Sequence, residues 1–216
     1  MPDETLKPAL RMALRLHEIG DASPYQLSFA GKGKSGASFG FMQGDMEAGQ
    51  PEVRPTFHDA LAAAGIDDAT IAGFAAQLSV PLITCPLATA DRDTVNAALL
   101  AGSALVDAMD EQILGKVYDS LDTCTARATA AGRGIAAKGL IYMALWINMT
   151  GPPSTLLVWL GGGVPAMRKP VPPAGAVVDG PAMETYLGAT DYFVENPGNM
   201  PHMLQCAAAG AATLAV

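Results

Sequence analysis

Apolar residues return every three or four positions through Leu6, Leu10, Ala13 and Leu14, with His17 next in the series. That period predicts an amphipathic helix over residues 4–19, stopped at Gly20. From Tyr25 to Phe29 the pattern alternates, which predicts a short strand, and Phe39, Phe41 and Met42 offer apolar anchors for a returning one. A small β-hairpin over residues 25–43 is expected. Beyond Asp45 the period is helical again. Phe57 to Ala64 and Asp67 to Leu78 form two short helices, the second capped by Asp67 or Asp68. Pro81 to Leu87, apolar with two prolines, is expected as a buried connection or an edge strand. A helix follows Thr89-Ala90-Asp91 through Leu100, and Ser103 begins a longer one.

Val106, Met109, Ile113, Val117 and Leu121 give that longer helix an inward stripe, and Asp107, Asp110, Glu111 and Asp119 are assigned to its solvated face. Gly132 and Gly134 interrupt the pattern before a core helix from Ile135 to Met149, marked by Tyr142, Leu145 and Trp146. Tyr142 and Asn148 are taken as hydrogen-bonded core residues. Ser154 or Thr155 caps a further helix that contains Trp159. Residues 161–181 are rich in Gly and Pro and form a surface loop; helices over 183–193 and 200–212 complete the set. The expected fold is mainly α with a small β-hairpin. It is a single domain over residues 1–216, with a helical body over 57–160, a loop over 161–181 and C-terminal helices over 182–212.

Composition narrows the function. Half of the 216 residues are hydrophobic, 16% are charged, and the net charge is −8. The balance is that of a globular chain, and the acidity argues against nucleic acid as a partner. A cationic substrate is attracted by such a surface. The longest uncharged stretch, Gly139 to Met167, holds Asn148, Thr150, Gly151, Pro152 and Pro153 at its centre, so it predicts two buried helices and no membrane span. Charges break every apolar run near the N-terminus, which does not resemble a signal peptide. The expected location is the cytoplasm, or the cell wall after export by a non-classical route. Cys85, Cys124 and Cys206 form no CxxC pair and are expected as buried, reduced thiols. His17, His58 and His202 share no ligand spacing, so neither a metal nor a cofactor is expected.

The chemistry-bearing stretch runs from Glu18 to Asp45. Glu18 lies four residues after Leu14 and eight after Leu10, at the edge of the apolar stripe. A carboxyl group held against apolar neighbours keeps its proton to higher pH, as a general acid requires. Gly31, Gly33, Gly36, Gly40 and Gly44 then permit tight turns and close approach of a ligand to the backbone. Two short motifs are set aside. Gly33-Lys34-Ser35 ends like a phosphate-binding loop, but its first glycine falls at Ser28. Gly36-Ala37-Ser38-Phe39-Gly40 matches the nucleophile elbow of serine hydrolases but lacks the strong strand before it.

Ser35-Gly36-Ala37-Ser38-Phe39-Gly40-Phe41-Met42-Gln43, with Glu18 upstream, resembles the lysozyme-like superfamily. Lytic transglycosylases and goose-type lysozymes place a catalytic Glu at a helix end, followed by a segment of this kind. Ser38-Phe39-Gly40-Phe41 is similar also to the hairpin of phage-type muramidases. The likeness covers residues 18–45 only, and Ile19 stands where transglycosylases usually have Ser. It implies a lysozyme-like α+β fold with residues 18–45 as a cleft wall. The implied activity is cleavage of the β-1,4 bonds of peptidoglycan by a muramidase or lytic transglycosylase. Glu18 is then the general acid. Asp45, or failing it Asp21, is the second carboxylate, across roughly 6.5–9.5 Å in an inverting enzyme. Tyr25, Ser38 and Gln43 are the expected substrate-binding residues. Chitosan is the alternative glycan, favoured by the acidic charge. A glycan- or protein-binding domain without catalysis is the alternative of another class, and a serine esterase using Ser38 is a third. Oligomeric state is left open.

Overall fold

The computed structural model describes residues 3–30 and 34–215, so Gly31 and Gly33 lie outside the described residues. The protein is mainly helical, with 62% helix and a small antiparallel sheet. Its contacts divide it into two compact units: residues 18–114 form one, and residues up to His17 with those from Gly115 onward form the other.

The first helix, α1 (Lys7–Glu18), starts three residues later than its period predicts, and it buries Ala9, Leu10, Ala13 and Leu14. Gly20, at φ +56°, takes the left-handed conformation that ends it.

In the unit of residues 18–114, three short strands follow: β1 (Ser28–Phe29), β2 (Ala37–Phe39) and β3 (Gly44–Asp45). They form an antiparallel meander in which Ser28 pairs with Ser38, and Ser38 with Asp45. The expected hairpin over 25–43 is thus corrected twice. Tyr25 to Leu27 are not strand, and a third strand is added beyond Gln43. The cause is the turn after β2, where Gly40 (φ +80°) and Gln43 (φ +52°) both take positive φ and fold residues 44–45 back beside Ser38 and Phe39.

Next come α2 (Val53–Ala63), α3 (Asp68–Leu78) and α4 (Thr89–Ala101). Helix α2 begins four residues before the expected Phe57, because Val53 is fully buried and extends its apolar face. Asp67 caps α3 by accepting the Thr70 N–H at 3.0 Å. Phe39 and Phe57 meet in the core with ring centroids 6.1 Å apart, and Leu61, Ile71 and Leu99 of the same unit are fully or almost fully buried. Residues 81–87 are neither strand nor buried connection. The segment is largely exposed, with Leu82 and Cys85 half-buried, Leu87 buried and Ile83 at 78% exposure, since its prolines leave it little backbone hydrogen bonding beyond Leu82 N–H to Ser35 O (2.9 Å).

The long helix α5 (Ser103–Ala130) buries the whole expected stripe; the division between the two units falls along it, after Leu114. One acidic residue assigned to its solvated face is not there: Asp110 is completely buried.

In the other unit, β4 (Gly134–Ile135) takes Ile135, the residue expected to open the core helix, and α6 (Ala137–Thr150) starts after it. Residues 141–147 of α6 are all buried, and the helix packs against α8 (Gly180–Ala189) and α10 (Met200–Ala212). The Tyr142 hydroxyl donates to Glu184 Oε1 at 2.6 Å. Between α6 and α8 lies α7 (Ser154–Leu160), whose N-cap is Pro153, without a side-chain cap. Thr155, one of the two expected caps, bonds the Tyr186 hydroxyl instead, at 3.0 Å. The expected surface loop over 161–181 is pinned to its own unit: β5 (Val177–Val178) pairs in parallel with β4, Arg133 Nε donates to Ala174 O (3.0 Å), and Trp159 Nε1 to Pro172 O (2.8 Å). The short helix α9 (Asp191–Glu195) precedes α10, where a single helix over 183–193 is expected; Thr190 breaks it by leaving helical geometry and capping α9. No helix among the described residues is long and apolar enough to cross a membrane. Cys124 and Cys206 are buried, but Cys85 sits half-buried on the largely exposed 81–87 segment.

Candidate active site

The meander builds the site through strand geometry. Side chains directly opposite one another across antiparallel strands share a face, so the pairings of Ser38 with Ser28 and with Asp45 put three polar side chains on one face of the sheet. Phe39, the next residue along β2, points the other way into the core and is fully buried. The polar face looks into a concavity of ≈ 420 Å³ lined by Glu18, Ser28, Ser35, Ser38, Gln43 and Asp45, together with Phe29. Glu18 enters it as the last residue of α1 and is half-buried.

Hydrogen bonds hold the lining in place. Asp45 Oδ1 accepts the backbone N–H of Gly36 (2.9 Å) and of Glu47 (2.8 Å), and the Asp45 N–H donates to Gln50 Oε1 (3.0 Å). Gln43 Nε2 donates to the Gly40 carbonyl at 2.9 Å, and its Oε1 accepts from the Ser28 hydroxyl. Among the described residues Gln43 is the one non-glycine with positive φ. A strained backbone at a residue lining a polar concavity is a feature of functional sites.

Behind the turn stands Asp110. Its Oδ2 accepts the Phe41 N–H at 2.8 Å and its Oδ1 the Met42 N–H at 3.0 Å. A Cβ on Gly40 would lie 2.4 Å from Asp110 Oδ1, one on Gly44 2.9 Å from Val53 Cγ2, and one on Gly36 2.5 Å from Leu78 O. The space these three glycines leave open is therefore filled by the protein itself. Packing accounts for them, and the expected approach of a ligand to their backbone is corrected accordingly.

Of the residues singled out in the sequence, Glu18, Ser38, Gln43 and Asp45 come together here. Asp21 is exposed and is not part of the lining. Tyr25 is also outside it; its hydroxyl donates to Asp107 Oδ1 at 3.0 Å. Ser38 has no histidine beside it among the residues of the concavity, so the base that a serine nucleophile needs is not in the lining. Among the described residues no group of three or more His, Cys, Asp or Glu is arranged to hold a metal ion. Ser28 and Asp110 were not legible as site residues. A signal for Asp110 existed: it lies four residues after Val106 and three before Ile113, on the buried stripe and not opposite it.

Comparison with known proteins returns no matching family model, no matching curated protein and no matching solved structure.

Proposed function

We propose that this protein is a glycoside hydrolase that cleaves β-1,4 linkages of an aminosugar polysaccharide, with peptidoglycan as substrate and Glu18 as general acid. One observation carries the reading: Glu18 and Asp45 line the same concavity, together with Ser38 and Gln43, in the segment that resembles muramidases. Glycosidic cleavage needs a carboxylic acid to protonate the leaving oxygen and, in an inverting enzyme, a carboxylate to hold the attacking water. Glu18 takes the first role. Asp45 takes the second through Oδ2, since Oδ1 already accepts two N–H groups. Ser28, Ser38 and Gln43 supply the hydroxyls and amide that hydrogen-bond a sugar. The net charge of −8 favours chitosan as the second reading.

The test is mass spectrometry of the soluble products after incubation with purified peptidoglycan and, separately, chitosan, for wild type and Glu18→Gln. Peptidoglycan fragments with reducing ends support a muramidase, anhydro ends a transglycosylase, and chitosan oligomers alone the second reading. Unchanged cleavage by Glu18→Gln refutes the catalytic assignment. No product from either glycan leaves the concavity as a binding site and refutes the hydrolase.

A further inference from the structure

A second concavity, of ≈ 660 Å³, lies in the same unit, and Phe29 lines both. The two differ in chemistry. The first presents the carboxylates Glu18 and Asp45. The second is lined by Gln26, Thr84, Arg92, Asp93 and Asn96 beyond Phe29, and Arg92 is its one cationic side chain among the described residues.

One donor group of the second concavity is oriented by the fold and another is left available. Asn96 Oδ1 accepts the Leu27 N–H at 2.9 Å, which fixes the amide with its NH₂ as an available donor. Arg92 Nη2 stands 3.8 Å from Asp93 Oδ1, beyond hydrogen-bond length. The guanidinium is thus partly balanced in charge while its N–H groups remain available for a planar acceptor. Gln26 and Thr84 add an amide and a hydroxyl at the exposed rim.

We infer that this second concavity is a subsite for a carboxylate-bearing substituent of the glycan, held by Arg92 and Asn96 while the sugar chain lies in the first concavity past Phe29. This rests on the reading of the first concavity as a glycan site, and it selects among its substrates: a polymer branched with free carboxylates fits both concavities, and chitosan, which carries amines, fits the first alone. Arg92 is exposed on α4 and distant in sequence from Glu18 and Asp45, so it acts on affinity and leaves the chemical step to the first concavity.

The experiment is calorimetric binding to Glu18→Gln protein, which removes turnover from the readout. The probes are a soluble peptidoglycan fragment with free carboxylates, the same fragment with its carboxylates converted to amides, and chitosan oligomers. The free-carboxylate fragment is expected to bind at least about tenfold more tightly than the amide, the effect of one charge-assisted contact, and Arg92→Gln is expected to abolish that preference. Protection of Cys85, which lines the second concavity, locates the ligand: the free-carboxylate fragment slows its alkylation and the amide does not. Equal binding of the two fragments, absence of binding, or a preference that survives Arg92→Gln overturns the subsite. Its failure is separable from failure of the hydrolase. Glu18-dependent cleavage without a carboxylate preference refutes the subsite alone, and an Arg92-dependent preference without cleavage refutes the hydrolase alone.

Discussion

The buried carboxylate of Asp110 accepts the backbone N–H of Phe41 at 2.8 Å, across 69 positions of sequence. With Met42 N–H on its other oxygen, it fixes the turn that carries Gln43 into the concavity. A helix residue therefore sets the geometry of a strand turn it does not neighbour in the chain.

Loss of that carboxylate leaves two buried N–H groups without acceptors. Asp110→Ala is expected to destabilise the protein by about 2–6 kcal/mol, at the roughly 1–3 kcal/mol typical of each of two unsatisfied groups. Asp110→Asn helps little, because its NH₂ faces one of the two donors, and about 2–4 kcal/mol is expected. Urea unfolding of the two variants checks both values; a loss under 1 kcal/mol for Asp110→Asn contradicts the clamp.

Gly40 and Gly49 give a matched comparison of strain against crowding. Both have positive φ, but only a Cβ on Gly40 meets Asp110 Oδ1 (2.4 Å) and Met109 Cε (2.8 Å), whereas nothing lies within 4 Å of one on Gly49. Gly49→Ala is expected to cost about 1 kcal/mol, from left-handed backbone alone. Gly40→Ala adds overpacking and is expected to cost about 2–5 kcal/mol. Equal midpoints in urea for the two variants defeat the argument.

Asp45 serves a turn and, in the proposed mechanism, a water. Asp45→Asn keeps an oxygen for the Gly36 and Glu47 N–H groups, so its stability is expected to stay within about 1 kcal/mol of wild type. Its turnover is expected to fall by about 10²-fold or more. Asp45→Ala loses both functions. Full activity in a stably folded Asp45→Asn restricts Asp45 to the turn.

Alkaline pH acts on buried groups of the other unit. Burial raises the Cys124 thiol from its ordinary 9.0 to about 11, and burial, offset in part by the Thr155 hydrogen bond, raises the Tyr186 hydroxyl from 10.0 to about 12. The folded state then holds its protons where the unfolded state has released them. The stability from Cys124 is complete below pH 9 and drains away between pH 9 and 11, at about 1.4 kcal/mol per pH unit. Tyr186 adds a further loss between pH 10 and 12. Unfolding free energies should be nearly level between pH 8 and 9 and fall from pH 9 through 10 to 11 for wild type, with a flatter slope above pH 9 for Cys124→Ala; parallel slopes contradict the assignment.

Local order along the chain was legible because it depends on near neighbours. The α5 stripe from Val106 to Leu121 and the Asp67 cap need only helical spacing and one adjacent donor. The stop at Gly20 likewise follows from the one residue that tolerates its φ. Glu18, Ser38, Gln43 and Asp45 were found as a group because they lie within one short segment. Long-range pairing decided the rest. Spacing places Asp110 on the buried stripe of α5, but its partners are two N–H groups 68 and 69 positions away, which no periodicity along α5 displays. The third strand depends on positive φ at Gln43, a residue that favours no such turn by itself. Tyr25 left the expected site because its hydroxyl meets Asp107, 82 positions on. Sequence by itself determined which segments coil and which residues are apolar; tertiary structure alone decided which polar groups those segments bring face to face, since a buried hydrogen bond is a relation between distant positions and not a property of either one.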